Sequence, residues 1–355
     1  MNKKKINIGK KIIGENFPVY FIADIASNHD GKLSRAKKLI RLAAKAGANA
    51  AKFQNFTGET LVSEKGFSKV GKIDHQAEWK GSVYDEYNKC SVPLSWTKHL
   101  KKECKKYNIE YFTSPYNLSF IEKLKNYVNV WKIGSGDITW HESISKMSSQ
   151  KKPIILATGA SSLTEVKLAM KVIYKKTKDI ILMQCNTNYT GSIKNYSYIN
   201  LNVLKLYKKI FPRAILGLSD HTPGHSTVLG SIALGARVIE KHFTDDNNRK
   251  GPDHKFSLNP KDWREMVDKS KELEKALGDG IKKVEKNELK TIIVQRRSIR
   301  AKTSLKKGKI IKKQDLIFLR PCSKNGIPPY KHNFFIGKKL KKNLKEHDEL
   351  SYMFV

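Results

Sequence analysis

The chain has 355 residues, 39% of them hydrophobic, and carries 69 basic against 33 acidic side chains for a net charge of +36. This length buries a sizeable core, as one large domain plus a small one or two of middling size. No apolar run approaches the roughly 18 residues needed to span a bilayer, and the basic start MNKKK leads into Ile6 to Ile13 without a small-residue cleavage site, so a cytoplasmic protein is expected.

The charge invites a nucleic-acid reading, but only 10 of the 69 basic residues are arginine. The lysines are spread along the whole chain, and arginine rather than lysine supplies the forked contacts that read bases. A lysine-rich surface without a nucleic-acid partner is expected, whose field would still draw in anionic substrates. The four cysteines, Cys90, Cys104, Cys185 and Cys322, form no CxxC pair, so neither a disulfide framework nor a cysteine zinc site is indicated.

In chain order, strand-length apolar runs begin at Val19 (VYFIADIA), Asn49 (NAAKFQ), Glu110 (EYFTSP), Val130 (VWKIGS), Pro153 (PIILAT), Ile180 (IILMQC), Ile215 (ILGLSD) and Arg237 (RVIEKH). Segments between them, such as LSRAKKLIRLAAKAGA and LTEVKLAMKVIYKK, repeat apolar positions at helical spacing. Alternation of strand and helix means a parallel sheet, and about eight units predict a (β/α)8 TIM barrel rather than a doubly wound sheet. The first run ends in DIASNHDG, without the glycine-rich phosphate turn of a dinucleotide fold. The connection from Asn55 to Pro93, carrying HQAEWKGSVYDEYNKC, is long enough to be a lid or a partner surface. A helix near Pro260 to Leu277 closes the barrel. The expected division is a barrel over 1–280, a polar linker over 281–290 and a small domain of short strands and turns over 291–355.

The C-terminal ends of barrel strands feed the active site, and nearly every run ends in a polar residue. In order these are Asp24, Lys52 with Gln54, Ser114, Lys132 with Ser135 and Asp137, Thr158, Gln184, Asp220 with His221, and Glu240 with His242. His221 and His242 end the seventh and eighth runs, so they should sit side by side, and SDHT and EKHFT each place an acid within two residues of the ring. Neutral imidazoles beside carboxylates suit a divalent first-row metal. Lys52 and Lys132 lie within apolar runs, where an inward charge is costly unless it meets an anion. They are therefore expected to bind phosphate or carboxylate, with hydroxyl and N–H donors from Ser114, Ser135 and IGSGD beside them. Arg249, Asp253 and His254 follow the eighth run on a loop placed over the same mouth.

These blocks together, SNHDG at Ser27, KFQ at Lys52, WKIGSGD at Trp131, LATG at Leu156, GLSDHT at Gly217, EKHFT at Glu240 and GPDHKFSL at Gly251, resemble the sialic acid synthase family from the first strand to the last residues. The resemblance implies a phosphoenolpyruvate-dependent synthase of nonulosonic acids, with a barrel followed by a small antifreeze-like (SAF) domain. It further implies that His221 and His242 hold a divalent metal, Mn²⁺ with Mg²⁺ or Co²⁺ as alternatives. The phosphoenolpyruvate pocket it implies comprises Lys52, Ser114, Lys132, Ser135, Thr158, Thr187 and Ser219. Asp24, Gln54, Tyr189, Asp253 and Arg320 fall to the amino sugar, with Asp24, His221 and His242 as the catalytic set. Arg320 matches an arginine that one subunit inserts into its partner's barrel, so a homodimer with exchanged SAF domains is implied. The chain departs from the family at Asp24, where glutamate is usual, at Ala157, where a serine stands and Thr158 must supply the hydroxyl, and at Thr187, where asparagine is found. The acceptor implied is N-acetylmannosamine or a related di-N-acetylated hexose, with a legionaminic or pseudaminic acid synthase as the alternative within the family; the other rival readings are a 3-deoxy sugar-acid synthase, whose barrel lacks such a trailing domain, and a non-catalytic sugar-binding scaffold.

Overall fold

The structure, a computed structural model, describes residues 4–73, 76, 79 and 81–355; Met1 to Lys3 and the loop residues Asp74, His75, Ala77, Glu78 and Lys80, part of the long connection singled out above, lie outside the described residues. The chain divides into two compact units, one ending at Gly278 and one running from Asp279 to Val355.

The first unit opens with an antiparallel pair, β1 (Lys5–Ile8) and β2 (Lys11–Gly14). The sequence reading had no strand here, although Ile6, Ile8 and Ile13 bury themselves and Gly9 takes the positive φ of +55° that the tight turn requires. Eight parallel strands follow: β3 (Tyr20–Asp24), β4 (Ala50–Asn55), β5 (Glu110–Pro115), β6 (Trp131–Ile133), β7 (Ile154–Ala157), β8 (Ile180–Cys185), β9 (Ile215–Asp220) and β10 (Val238–His242). They run in the order β5-β4-β3-β10-β9-β8-β7-β6, and the two ends of that order, β5 and β6, lie in contact. The sheet thus curls into a (β/α)8 barrel, with a helix after each strand, from Leu33–Lys45 after β3 to Pro260–Leu277 after β10. Apolar side chains on the outer face of the sheet, such as Phe53, Trp131 and Ile239, join Leu39, Leu100, Met170 and Trp263 of the helices in one core. Burial of this apolar surface, at roughly 25 cal/mol per Å², holds helices to strands.

The second unit is built from a helix, Leu289–Gln295, an antiparallel pair β11 (Ser298–Ala301) and β12 (Leu316–Leu319), and single bridges such as Leu305↔Leu344. Its small separate core gathers Ile299, Leu305, Ile311, Phe335, Leu340 and Leu350. Among the described residues no helix is long and apolar enough to cross a membrane.

Candidate functional site

Side chains along a strand alternate between the barrel interior and the helix layer, with a period of two, and this alternation selects the residues that form the site. On β4 Lys52 and Gln54 turn inward while Phe53 faces the helices, and on β6 Lys132 turns inward between Trp131 and Ile133. Glu240 and His242 share the inner face of β10, and Ser219, with His221 just beyond, that of β9. Register then sets the neighbours: Asp24 pairs with His242 on one side and with Lys52 on the other. These side chains line a cavity of about 400 Å³, within the range of small-molecule sites.

The two expected imidazoles meet. The rings of His221 and His242 lie 5.2 Å apart, each beside Phe256 at 6.0 and 4.9 Å, and the Tyr189 ring packs tilted against His221 at 4.4 Å. His221 Nδ1 lies 2.7 Å from the carbonyl of Asn186. A carbonyl can only accept, so Nδ1 carries the hydrogen and Nε2 keeps its lone pair. Burial, with the neighbouring His242 next, pulls the His221 pKa down to about 3, so the ring is neutral at physiological pH and fit to be a ligand. Buried His242 Nδ1 has no hydrogen-bond partner among the described residues. Its nearest anions are Asp253 Oδ2, 3.8 Å from Nδ1, and Asp24 Oδ2, 3.6 Å from Nε2. Among the described residues no three His, Cys, Asp or Glu side chains form a ready cage. Neutral His221 and, beside it, His242 with its orphaned ring nitrogen nonetheless fit an open site, in which substrate or water completes the coordination.

The acids adjacent to these histidines in sequence do not serve the rings, contrary to the expectation. Asp220 faces outward and is buried against Lys241, 2.6 Å away, with hydroxyls of Thr222 and Thr227 donating at 3.0 and 2.7 Å. Lys241 also donates to the carbonyl of Thr222 at 2.6 Å. Burial alone would raise the Asp220 carboxyl, and Lys241 more than reverses it, so its pKa is lowered. Removing one partner leaves a buried charge unpaired. Lys241→Met is therefore expected to cost about 3–5 kcal/mol, and a urea unfolding midpoint unchanged from the parent would refute that.

Glu240 serves the lysines instead. Its Oε1 lies 3.2 Å from Lys132 Nζ and 3.5 Å from Lys52 Nζ and accepts from Ser219 Oγ at 3.0 Å, while buried Oε2 has no hydrogen-bond partner among the described residues. Burial raises the Glu240 carboxyl, but Lys132 and then Lys52 bring it down to about 2. Lys52 also meets Asp24 Oδ2 at 2.5 Å, and Gln54 donates to that oxygen at 3.4 Å. Burial would lower the Lys52 ammonium, yet Asp24 and Glu240 together push its pKa up; at Lys132 burial wins and the pKa is lowered. Both lysines are almost wholly buried, so an anion is the ligand that such a pair can hold.

The remaining expected residues divide. Ser135 lines the cavity and its Oγ accepts from the Gly159 N–H at 2.9 Å. A Cβ at Gly159 would come within 2.5 Å of Thr187 Cγ2, so the backbone can approach only as glycine. Thr187 touches this turn without lining the cavity, and Asp253 lines it while accepting from the Ser27 backbone N–H at 3.0 Å. Thr158 does not take over for Ala157. Ala157 faces the cavity, and the next residue necessarily faces the helices, where Thr158 Oγ1 donates to the Met183 carbonyl and meets the Tyr207 hydroxyl, both at 2.9 Å. Ser114 shares the inward face of β5 with Tyr116 but sits two residues below the rim, outside the lining; its buried hydroxyl has no hydrogen-bond partner among the described residues. Arg249 and His254 are not over the mouth either. Buried His254 joins Thr244 and Asp30, and Arg249 pairs with the same Asp30. Arg320 lies exposed on the second unit, next after β12.

The sequence reading placed Asp137 at a strand end without a role and set Glu240 beside the histidines rather than the lysines, and it missed Cys185 in the lining and Phe256 against the two imidazoles. Burial pushes the Asp137 carboxyl up to about 6, so it can exchange a proton near neutrality. The buried imidazoles set the acid limb of stability. Unfolded histidines titrate near 6.5, but His221 and His29 take up protons in the fold only near 3 and 4. The unfolded state therefore binds more protons between those values. The stability they contribute is complete above about pH 6.5 and is lost as pH falls toward 4; Asp137, raised, works in the opposite sense. Urea midpoints that hold from pH 8 to 7 and fall from 6.5 to 4.5 are expected.

The sequence pattern of the NeuB family matches residues 39–282. The chain is 38% identical to the N,N'-diacetyllegionaminic acid synthase of Campylobacter jejuni, over 93% of this chain and 97% of that one. It is 34% identical to the enzyme of the same name from Legionella pneumophila, over 97% and 96%. The crystal structure of an N-acetylneuraminic acid (sialic acid) synthetase from Leptospira borgpetersenii superposes with a TM-score of 0.71 at 28% identity, over 82% of this chain and 95% of that one. The matched pattern spans well over half the chain and includes both histidines and both buried lysines, so this protein belongs to the NeuB family of sugar-acid synthases.

Proposed function

We propose that the chain condenses phosphoenolpyruvate with the open-chain aldehyde of an N-acylated amino hexose, giving a nine-carbon nonulosonic acid and inorganic phosphate. The convergence of two buried lysines and two histidines on one cavity carries this reading. C3 of the enol phosphate attacks the aldehyde carbon, water adds at C2, and phosphate leaves by C–O cleavage. Lys52 and Lys132 hold the phosphate and carboxylate, with Ser135 and Ser219 as hydroxyl donors, and so fix the enol face toward the acceptor. A divalent cation held by His221 and His242, Mn²⁺ with Mg²⁺ or Co²⁺ as alternatives, would supply Lewis-acid polarisation of the aldehyde oxygen. Asp24, between Lys52 and His242, orients the sugar or takes the proton of the attacking water, and Gln54, Tyr189 and Asp253 flank the sugar. The two curated relatives above favour an acceptor with two N-acetyl groups over N-acetylmannosamine. Phosphate release from phosphoenolpyruvate that depends on such an acceptor is the test, and its absence with every N-acylated hexose defeats the proposal.

The assembly proposed is a homodimer with the second unit, as an SAF domain, exchanged, in the cytoplasm where phosphoenolpyruvate is formed. Exposed Ile281, Leu289 and Val294 in the segment that opens the second unit support burial against a second copy. Arg320→Ala is expected to raise KM for the sugar at least about tenfold, the range of one charge-assisted hydrogen bond, with KM for phosphoenolpyruvate unmoved. An unchanged KM for the sugar would exclude the exchanged arginine.

A further inference from the structure

Two runs at the cavity end of the barrel, SNHDG after β3 and the loop from Phe243 to Leu258 after β10, are fastened to each other at several points. Asn28 Nδ2 donates to the Phe243 carbonyl and to Ser257 Oγ, both at 2.9 Å. Arg35, in the first turn of the helix Leu33–Lys45, sits between Asp30 at 2.9 Å and Asp245 at 2.5 Å. Asp30 also pairs with the exposed Arg249 at 2.6 Å, and its Oδ1 meets Nε2 of wholly buried His254 at 2.9 Å. The other ring nitrogen of His254, Nδ1, lies 2.7 Å from Thr244 Oγ1, at the base of the same loop.

Next to His254 in the chain is Asp253, which lines the cavity. Its Oδ2 accepts from the Ser27 N–H at 3.0 Å and from the Ser27 hydroxyl, and lies 3.8 Å from His242 Nδ1. The backbone is committed to this arrangement. Ala26 and Asp30 take left-handed φ values of +43° and +50°, conformations that persist only where the surroundings over-determine them and that cluster at functional sites. Gly251 has a φ of +157°, and a Cβ there would come within 2.7 Å of His254 Cδ2, so the chain passes the ring only as glycine.

From this geometry we infer that Asp30 and His254 are positioning residues for the acceptor: they close a clasp between two barrel loops that fixes the Asp253 carboxylate against Ser27 and beside His242 before the sugar arrives. The inference rests on the condensation proposed above, in which Asp253 faces the sugar. Neither Asp30 nor His254 lines the cavity, so each acts through Asp253. A side chain that binds substrate must be held within about 0.5 Å of its productive place, and one carried on a loop depends on supporting contacts of this kind to stay there.

His254→Leu tests this in the full-length enzyme. Leucine occupies the buried space of the ring and leaves Asp30 paired with Arg35 and Arg249, so the clasp is cut while the charges stay compensated. In steady-state phosphate release, KM for the sugar is expected to rise at least about tenfold, the range of one misplaced charge-assisted hydrogen bond, with KM for phosphoenolpyruvate unchanged. Asp30→Asn, which keeps an acceptor for Nε2, should move KM for the sugar in the same direction and by less. A double-mutant cycle separates positioning from general support: added to Asp253→Asn, the His254→Leu change should raise KM for the sugar no further. The same fold-loss in both backgrounds overturns the inference, as does an unmoved KM for the sugar in His254→Leu or a parallel rise for both substrates. Should His254→Leu not fold, Asp30→Ala carries the same cycle from a partly exposed position. A wild-type enzyme that releases no phosphate with any N-acylated hexose would instead strike the condensation itself.

Discussion

Replacing either His221 or His242 with alanine is expected to lower phosphate release by at least about 10³-fold, because Lewis-acid stabilisation of a developing alkoxide is worth several kcal/mol and each 1.36 kcal/mol is a factor of ten. Stability should change little in comparison. The rings sit 5.2 Å apart at the strand ends, and the carboxylates of Asp24 and Asp253 come no nearer to His242 than 3.6 Å. The Asp220–Lys241 pair, which braces the same two strands from outside, is left intact. The readouts are metal content of the purified protein, turnover with added Mn²⁺, and a thermal melt. A variant that keeps full turnover in the presence of chelator would remove the metal from the proposal, and one that fails to fold would show that the rings are structural.

Lys132→Met is the second large effect, and it separates stability from substrate binding. Lys132 is the nearer of the two ammonium groups to Glu240, at 3.2 Å against 3.5 Å for Lys52. Its loss leaves a buried carboxylate with one cation and one hydroxyl, which is expected to cost about 3–5 kcal/mol. It also removes a charge-assisted contact to the enol phosphate or its carboxylate, worth about 1.5–3 kcal/mol, so KM for phosphoenolpyruvate should rise about 10–150-fold. Adding Glu240→Gln removes the unpaired charge. The double variant should regain a large part of the stability, read as the urea midpoint, and none of the affinity for phosphoenolpyruvate. Recovery of both together would mean that the lysine acts only on the fold.

Strand positions were legible in the sequence because a barrel strand buried on both faces is a short apolar run bounded by turns. EYFTSP, IILMQC and ILGLSD coincide with β5, β8 and β9. Lys52, Lys132 and the histidine pair were legible for a related reason, since a charge or an imidazole inside such a run needs a partner and the barrel mouth supplies one. What failed depended on which face a residue takes. Thr158 is one residue past Ala157 and so lies on the helix side, and Asp220, next to His221, lies on the outside for the same reason. Glu240 was placed at a strand end, but its position between two lysines from distant strands follows only from barrel closure. Phe256 comes from a loop whose path no periodicity records. The β1–β2 hairpin went unread because its strands are four residues each, too short for alternation to stand out.

Along β9 and β10 successive residues serve different masters: Ser219, His221, Glu240 and His242 face the cavity, while Asp220 and Lys241 pair with each other on the outer face. Inserting or deleting one residue early in either strand would transpose these assignments, carrying an imidazole into the helix layer and a scaffold charge into the cavity. Homologous sequences should therefore vary freely in the loops after these strands while tolerating no change in the length of the strands themselves.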